Sequence, residues 1–257
     1  MLPGISSANG AKTNALITGL RMFWKCYVVP TTISCNASCV FCSTKSKRNR
    51  ISAMPQYMSV GDSFNNIIHR LAALGVYTFE ITGGGEPFLH QELQTIIDRI
   101  RNAVSGCYIR LYTNGLVLKS VINIDELVLS VVHWDASIND RYVHPRRSIP
   151  PLDILRFFSA DRAFKLRLSV PLLRGAIDSE ATATELITRT SRFVDEYVFR
   201  PLSHATHPAV KRLLSASLSI SDARAEVDYR RCVRPDILWW WPDNKLYEDW
   251  EFNKCLE

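Results

Sequence analysis

The chain of 257 residues is 47% hydrophobic and 22% charged, an ordinary globular composition that admits one large domain or two small ones. It holds no apolar run near the roughly 20 residues that a bilayer span needs, and its opening, MLPGISSANGAKTNALITGL, lacks the basic head and continuous apolar stretch of a secretory signal, so a cytoplasmic protein is expected. The formal charge of +6 suits an anionic substrate or nucleic acid. Apart from Lys45, Lys47, Arg48 and Arg50, however, the basic residues are scattered, which argues against a nucleic-acid surface.

Residues 1–25 are set apart as an N-terminal segment. From 26 to 202 short β-rich runs alternate with longer amphipathic ones. CYVVPTT (26–32) reads as a strand, and SVGDSFNNIIHRLAALG (59–75) as a helix, with Phe64, Ile67, Ile68, Leu71 and Leu74 at helical spacing and Gly75 as its stop. Strand 76–82, helix 88–104 and strands 107–113, 127–134, 164–170 and 196–202 follow, with helices over 150–159 and 178–192. The strands look apolar almost throughout, as when helices cover a parallel sheet. Repeated βα units give an α/β fold. About six strands are too few for a closed eight-stranded barrel, so a partial (β/α)6 barrel of parallel strands is expected. Residues 203–257 form a short C-terminal extension, with a helix over 207–218 and a terminal β-hairpin turning at Asp243-Asn244, packed by Trp239, Trp241 and Trp250. This extension is expected to close one side of the barrel.

Three of the seven cysteines stand together after the first strand, in Cys35-Asn-Ala-Ser-Cys39-Val-Phe-Cys42. An odd count, crowded in one place, does not suit a secreted disulfide framework. Soft thiolates suit an iron–sulfur cluster, and three on one loop can hold three irons of a cubane while the fourth stays open to another ligand. A zinc site is the alternative, although zinc commonly takes two Cys pairs or adds histidines, and no His neighbours this segment. The second notable segment is Thr82-Gly83-Gly84-Gly85-Glu86-Pro87, at the end of the second strand. Glycines there let the backbone approach a neighbour closely, and the carboxylate can accept hydrogen bonds from an ammonium group. A plain strand-to-helix turn is the other reading.

The two segments together resemble the radical S-adenosylmethionine (SAM) superfamily: Cys-x-x-x-Cys-x-aromatic-Cys after the first strand, with Phe41 as the aromatic, and Gly-Gly-Glu-Pro after the second. The resemblance covers about 26–202. It implies a single [4Fe–4S] cluster on Cys35, Cys39 and Cys42, with SAM chelating the open iron and cleaved reductively to a 5′-deoxyadenosyl radical that abstracts hydrogen from a substrate. It also implies SAM contacts from Phe41, Gly84, Gly85, Glu86 and Pro87. Weaker matches at the ends of the third and fourth strands add Asn114, Asp135 and Ser137, though Asn114-Gly115 is also an ordinary turn and Asp135 or Ser137 an ordinary helix cap. The implied partners are an electron donor such as flavodoxin or ferredoxin and an organic substrate, which the resemblance does not identify. A non-catalytic iron–sulfur electron carrier and a zinc-stabilised nucleic-acid-binding module are the competing functions.

Ligands gather at the carboxyl ends of parallel strands, which sorts the other candidates. Cys26 and Cys107 begin their strands and should be packed thiols. Arg167 and Arg200 are candidates to meet a carboxylate or phosphate, a surface ion pair being the commoner fate of an arginine, and His133 and His144 flank the Asp135 loop as acid–base candidates, with a loop or core histidine as the safer reading. Cys232 and Cys255 are too few for a second cluster, and one of them is a candidate hydrogen-atom donor if the extension forms a lid. No catalytic residue is assigned.

Overall fold

The computed structural model describes residues 23–44, 51–201, 224–227, 237–247 and 255–256. The expected helix 207–218, the basic loop 45–50, Trp250, Cys232 and most of the N-terminal segment lie outside the described residues.

Strands β1 (Lys25–Val28), β2 (Thr78–Ile81), β3 (Tyr108–Thr113), β4 (Glu126–Ser130), β5 (Lys165–Leu172) and β6 (Glu196–Pro201) lie side by side in chain order, each parallel to the next. Helices α1 (Asp62–Ala73), α2 (Leu93–Ala103), α3 (Ala136–Val143), α4 (Pro151–Ser159) and α5 (Glu180–Thr190) fill the crossovers. Each has a local cause. Phe64, Ile68 and Leu71 make the buried stripe of α1, which Gly75 ends in the left-handed conformation at φ 79°. Ile96, Ile97 and Ile100 do the same for α2. Pro151 opens α4, and Ser179 and Thr182 form a reciprocal cap on α5. Only α3 was not foreseen.

The sheet is an open, partial barrel, and it is wider than expected. After residue 203 the chain completes both of its flanks. β7 (Arg224–Val227) adds parallel to β6, and β8 (Ile237–Trp240) adds parallel to β1. β9 (Leu246–Tyr247) and β10 (Cys255–Leu256) then continue antiparallel, giving the order β10-β9-β8-β1-β2-β3-β4-β5-β6-β7. The hairpin at Asp243-Asn244 is present, with Asn244 at φ 54° and its backbone N–H donating to the Trp241 carbonyl. Rather than closing the barrel, this extension widens its sheet.

The strands are also not apolar throughout. They alternate, because the helices cover one face only. That face carries Cys26, Val28, Phe79, Ile81, Ile109, Leu111, Leu127, Leu129, Leu166 and Leu168, packed with the helix stripes in one continuous core. The inner face of the barrel carries charge. Glu80, fully enclosed, takes Lys25 Nζ at 2.8 Å and Arg110 at 2.6 Å. Arg110 Nε reaches Glu126 at 2.5 Å, Arg167 Nε reaches the other oxygen of Glu126 at 2.6 Å, and Arg167 continues to Glu196 at 3.0 Å, which Lys165 also contacts. The result is an alternating ladder across β1 to β6, in which Arg167 meets two carboxylates. Arg200, near the end of β6, lies over the Tyr112 ring at 5.5 Å.

Beside the ladder, Tyr27 stacks on Trp239 at 4.1 Å, and Trp239 and Trp241 share a small core with Val29 and Ile51. Trp240 points the other way, against Phe64. Cys26 and Cys107 are buried at the starts of β1 and β3, where desolvation pushes both thiols up from their ordinary values.

Burial alone would push the Glu80 carboxyl up, but the charges of Lys25 and Arg110 outweigh it and hold it below the ordinary value. Glu196 is likewise held low, with Lys165 and Arg167 outweighing burial. A carboxylate whose folded pKa is depressed contributes stability above its unfolded pKa and loses it as the pH falls through the folded one. Urea unfolding of the metal-free chain should therefore give a steady midpoint near neutrality and a falling one below about pH 4.3, the unperturbed glutamate value. Glu80→Gln should make that acid limb shallower; an identical limb would show that the ladder does not govern it. Arg110→Met leaves two buried carboxylates short of a partner and should cost on the order of 3 kcal/mol in the same measurement.

Candidate active site

Because β1 to β6 are parallel, their carboxyl ends and the loops that follow gather at one end of the barrel. The loop after β1 carries Cys35, Cys39 and Cys42, all partly buried and none in a disulfide. Two neighbouring segments grip it from opposite sides.

On one side is the glycine segment after β2. The Glu86 N–H donates to the Ser34 carbonyl at 2.8 Å. This contact needs glycine: a Cβ at Gly84 would stand 2.3 Å from the Thr32 carbonyl oxygen, and one at Gly85 2.0 Å from that of Ser34. The two glycines thus let this segment lie against the cysteine loop's own backbone. Glu86 is turned inward as well, where Oε1 accepts from the Thr113 hydroxyl at 2.6 Å and from the Phe88 N–H at 3.1 Å, and Oε2 accepts from the Asn114 N–H at 2.8 Å. Burial pushes this carboxyl above its ordinary value, and those three donors pull against it. Through these bonds the Glu86 carboxylate ties the β2 and β3 loops together. Pro87 is buried at the head of a single 3-10 turn, Pro87–Leu89.

On the other side is α3. The last carbonyls of a helix lack partners within it, and here the cysteine loop supplies them. The Val40 N–H donates to the Tyr142 carbonyl at 2.9 Å, and the Ser38 N–H to the carbonyls of Val143 and His144 at 3.1 Å. The Arg146 N–H returns a bond to the Asn36 carbonyl at 2.9 Å, and Ala37 bridges Pro145. Ala37, Cys39 and Phe41 pack against Val132, Val143, Leu173 and Ala176, so Phe41 anchors the loop to this wall. Asp135 and Ser137 serve the same brace from its far end. Asp135 caps α3, accepting from the Ser137 hydroxyl at 2.6 Å and from the N–H groups of Ser137 and Ile138, and these bonds, led by that hydroxyl, hold its carboxyl low. Both side chains are exposed. The cap was visible in sequence, but the helix behind it was missed.

Asn114, at the end of β3, faces the cysteines. Its Oδ1 accepts from the Leu116 N–H at 2.9 Å, while its Nδ2 lies 2.8 Å from Asn36 Oδ1 and 3.8 Å from Cys35 Sγ. Burial pushes the Cys35 thiol up, and the nearby charges of Glu86 and Cys42 push it further, against the Ala37 N–H and the Asn114 amide.

The remaining candidates stand apart. The buried His133 ring accepts from the Asp135 N–H and stacks on Trp134, and burial lowers its pKa. His144 is exposed at the end of α3, in a left-handed conformation. Cys255 is exposed on β10, with β9 and β8 between it and β1, so it forms no lid over the cysteine loop.

The donor set fits an iron–sulfur cube. It comprises three thiols on one loop, none in a disulfide and all partly shielded, with N–H donors turned toward Cys35. A cube binds each cysteine to a different iron, so its ligands need not converge on one point. Among the described residues no three His, Cys, Asp or Glu side chains do so closely enough to hold a single metal ion.

The radical SAM superfamily profile matches residues 29–150. A GTP 3′,8-cyclase from Aquifex aeolicus is 25% identical over 158 residues, which cover 59% of this chain and 49% of that protein. The dual-specificity RNA methyltransferase RlmN of Gluconobacter oxydans is 27% identical over 179 residues, 62% of this chain and 44% of that one. The chain thus spans about half the length of the curated relatives it matches. Among solved structures, SuiB of Streptococcus suis bound to S-adenosylmethionine superposes with a TM-score of 0.69 over 98% of this chain and 68% of its own, at 13% identity, a likeness of fold. The matching profile is laid over the cysteine loop, the glycine segment and strands β2 to β4, so this part of the chain is similar to the radical SAM superfamily.

Proposed function

We propose that this protein is a radical SAM enzyme, in which Cys35, Cys39 and Cys42 hold one [4Fe–4S] cluster and the glycine segment borders the SAM site. The observation that carries the proposal is the cysteine loop, fastened on one side to Glu86 and on the other to the end of α3. When bound, the cluster and SAM would supply an electron and a 5′-deoxyadenosyl radical that abstracts hydrogen from the substrate.

The chain's own residues would position and shield. Gly84 and Gly85 set the distance between the glycine segment and the cysteine loop, and Glu86 fixes both to β3. Phe41, packed against the α3 wall, and Pro87, at the head of its turn, would shape the edge of the SAM pocket. Asp135 and Ser137 would act through α3. Residues 26–202 would form the catalytic core and 203–257 an extension that completes the sheet. The substrate would be a small molecule, nucleotide or peptide, with the basic charge of the chain favouring an anion. An electron donor such as flavodoxin or ferredoxin would reduce the cluster. No helix among the described residues is long and apolar enough to cross a membrane, and a cluster on reduced cysteines would suit the reducing cytoplasm. Neither the electron-carrier nor the zinc-module reading accounts for a glycine segment locked to the cysteine loop at the mouth of a barrel.

Anaerobic reconstitution with iron and sulfide, reduction and addition of SAM should yield 5′-deoxyadenosine and methionine by chromatography, and the Cys35/Cys39/Cys42 triple alanine variant should yield neither. Bound zinc without iron in the wild type would overturn the proposal. Gly85→Ala places a methyl group against the Ser34 carbonyl, so the cysteine loop must shift while the helix-side core stays intact. The variant should keep its circular dichroism and lose at least tenfold in 5′-deoxyadenosine formation; unchanged turnover would show that the spacing is unimportant.

A further inference from the structure

Asn114 belongs to a segment that the superfamily resemblance assigns to SAM, yet its side chain is turned to the cysteine loop. We infer that Asn114 is a positioning residue for the cluster, its amide donating one hydrogen to the Cys35 thiolate and thereby raising the cluster's reduction potential. The inference rests on the radical SAM reading and adds to it a determinant of how readily the centre accepts its electron.

Three observations carry it. First, the orientation of the amide is fixed by its partners. Oδ1 accepts from the Leu116 N–H at 2.9 Å, and reversing the group would set two N–H donors face to face. The –NH2 group must then point to Asn36 Oδ1 at 2.8 Å and Cys35 Sγ at 3.8 Å, one hydrogen for each. Second, the residue is held from behind, because its backbone N–H is bound by the buried Glu86 carboxylate at 2.8 Å. A donor fixed at both ends needs no rearrangement to stabilise charge that develops beside it. Third, Cys35 is partly buried and its sulfur lies within reach of that amide, so solvent does not fully stand in for the donor. Reduction adds one negative charge to a cluster and its thiolates, so a donor to a ligand sulfur favours the reduced form, and hydrogen bonds to the sulfurs are a recognised control on cluster potential.

The experiment uses the full chain, reconstituted without oxygen and studied without SAM. The wild type, Asn114→Ala and Asn114→Asp would be assayed for iron and sulfide and then titrated against a series of solution potentials, with the reduced cluster read by electron paramagnetic resonance. Asn114→Asp keeps the Oδ1 acceptor and the size of the side chain while removing the donor and adding negative charge. At a fixed potential the ratio of reduced to oxidised cluster should fall about three- to tenfold in Asn114→Ala, a tenfold fall being about 59 mV for one electron, and further in Asn114→Asp. An unchanged ratio in variants with full cluster content overturns the inference. Variants that fail to hold a cluster do not shield it, because the wild type provides a second measurement. Pulsed electron paramagnetic resonance of reduced protein labelled with 15N-asparagine should show a nitrogen coupling to the cluster that Asn36→Ala retains; its absence overturns the inference by itself. A wild type that assembles no cluster at all overturns the radical SAM reading, and the inference with it.

Discussion

The buried carboxylate of Glu86 is the point at which the three loops of the site are joined. The backbone N–H of Glu86 fastens the glycine segment to the Ser34 carbonyl, and its carboxylate accepts from Thr113 and Asn114 at the end of β3. Desolvating a carboxylate is costly unless its lone pairs are satisfied. The arrangement that satisfies them is also the one that brings the β1, β2 and β3 loops into register. The site therefore owes its geometry to a polar group placed where water cannot substitute for the protein's own donors.

The opposite grip on the cysteine loop obeys a similar rule with different chemistry. A helix that ends near the surface usually gives its last carbonyls to water or to a capping turn. Here α3 gives those of Tyr142, Val143 and His144 to Ser38 and Val40. A loop rich in small residues and cysteines has little side-chain surface to bury, so backbone bonds must order it. The half-buried contacts of Phe41 and Cys39 with Val132 and Val143 supply the apolar remainder.

Much of this could be read from the sequence, and the rest could not for definite reasons. Strands β1 to β6 and four of the helices announced themselves through apolar spacing and stop signals such as Gly75. Cys35, Cys39, Cys42 and the Gly84–Pro87 segment stood out because chemistry demands those residue types close together. Helix α3 escaped because it has only eight residues and its buried face rests on Asn139 and Val143, too few for a periodic pattern. The inner face was misread because Glu80, Arg110, Glu126 and Arg167 each look like a lone charge in an apolar run. Only the strand register shows that they pair across the sheet. The hydrogen-bond partners of Glu86 and Asn114 were likewise beyond reach, since a motif names a residue and does not say which way its side chain turns.

The pairing of β1 with β8 has a consequence for how the molecule is made. Lys25 to Val28 find one neighbour in β2 and the other only in Ile237 to Trp240. At roughly 5–20 residues per second, a ribosome delivers β8 on the order of ten to forty seconds after β1. Throughout that interval the edge of the strand that leads into the cysteines is open, presenting unpaired backbone and the apolar side chains of Tyr27 and Val29 to any passing chain. A nascent protein in this condition depends on chaperones or on speed. Iron delivered before Trp240 has docked would meet a loop whose supporting strand is still an unprotected edge, so maturation of the metal centre belongs after synthesis, not during it.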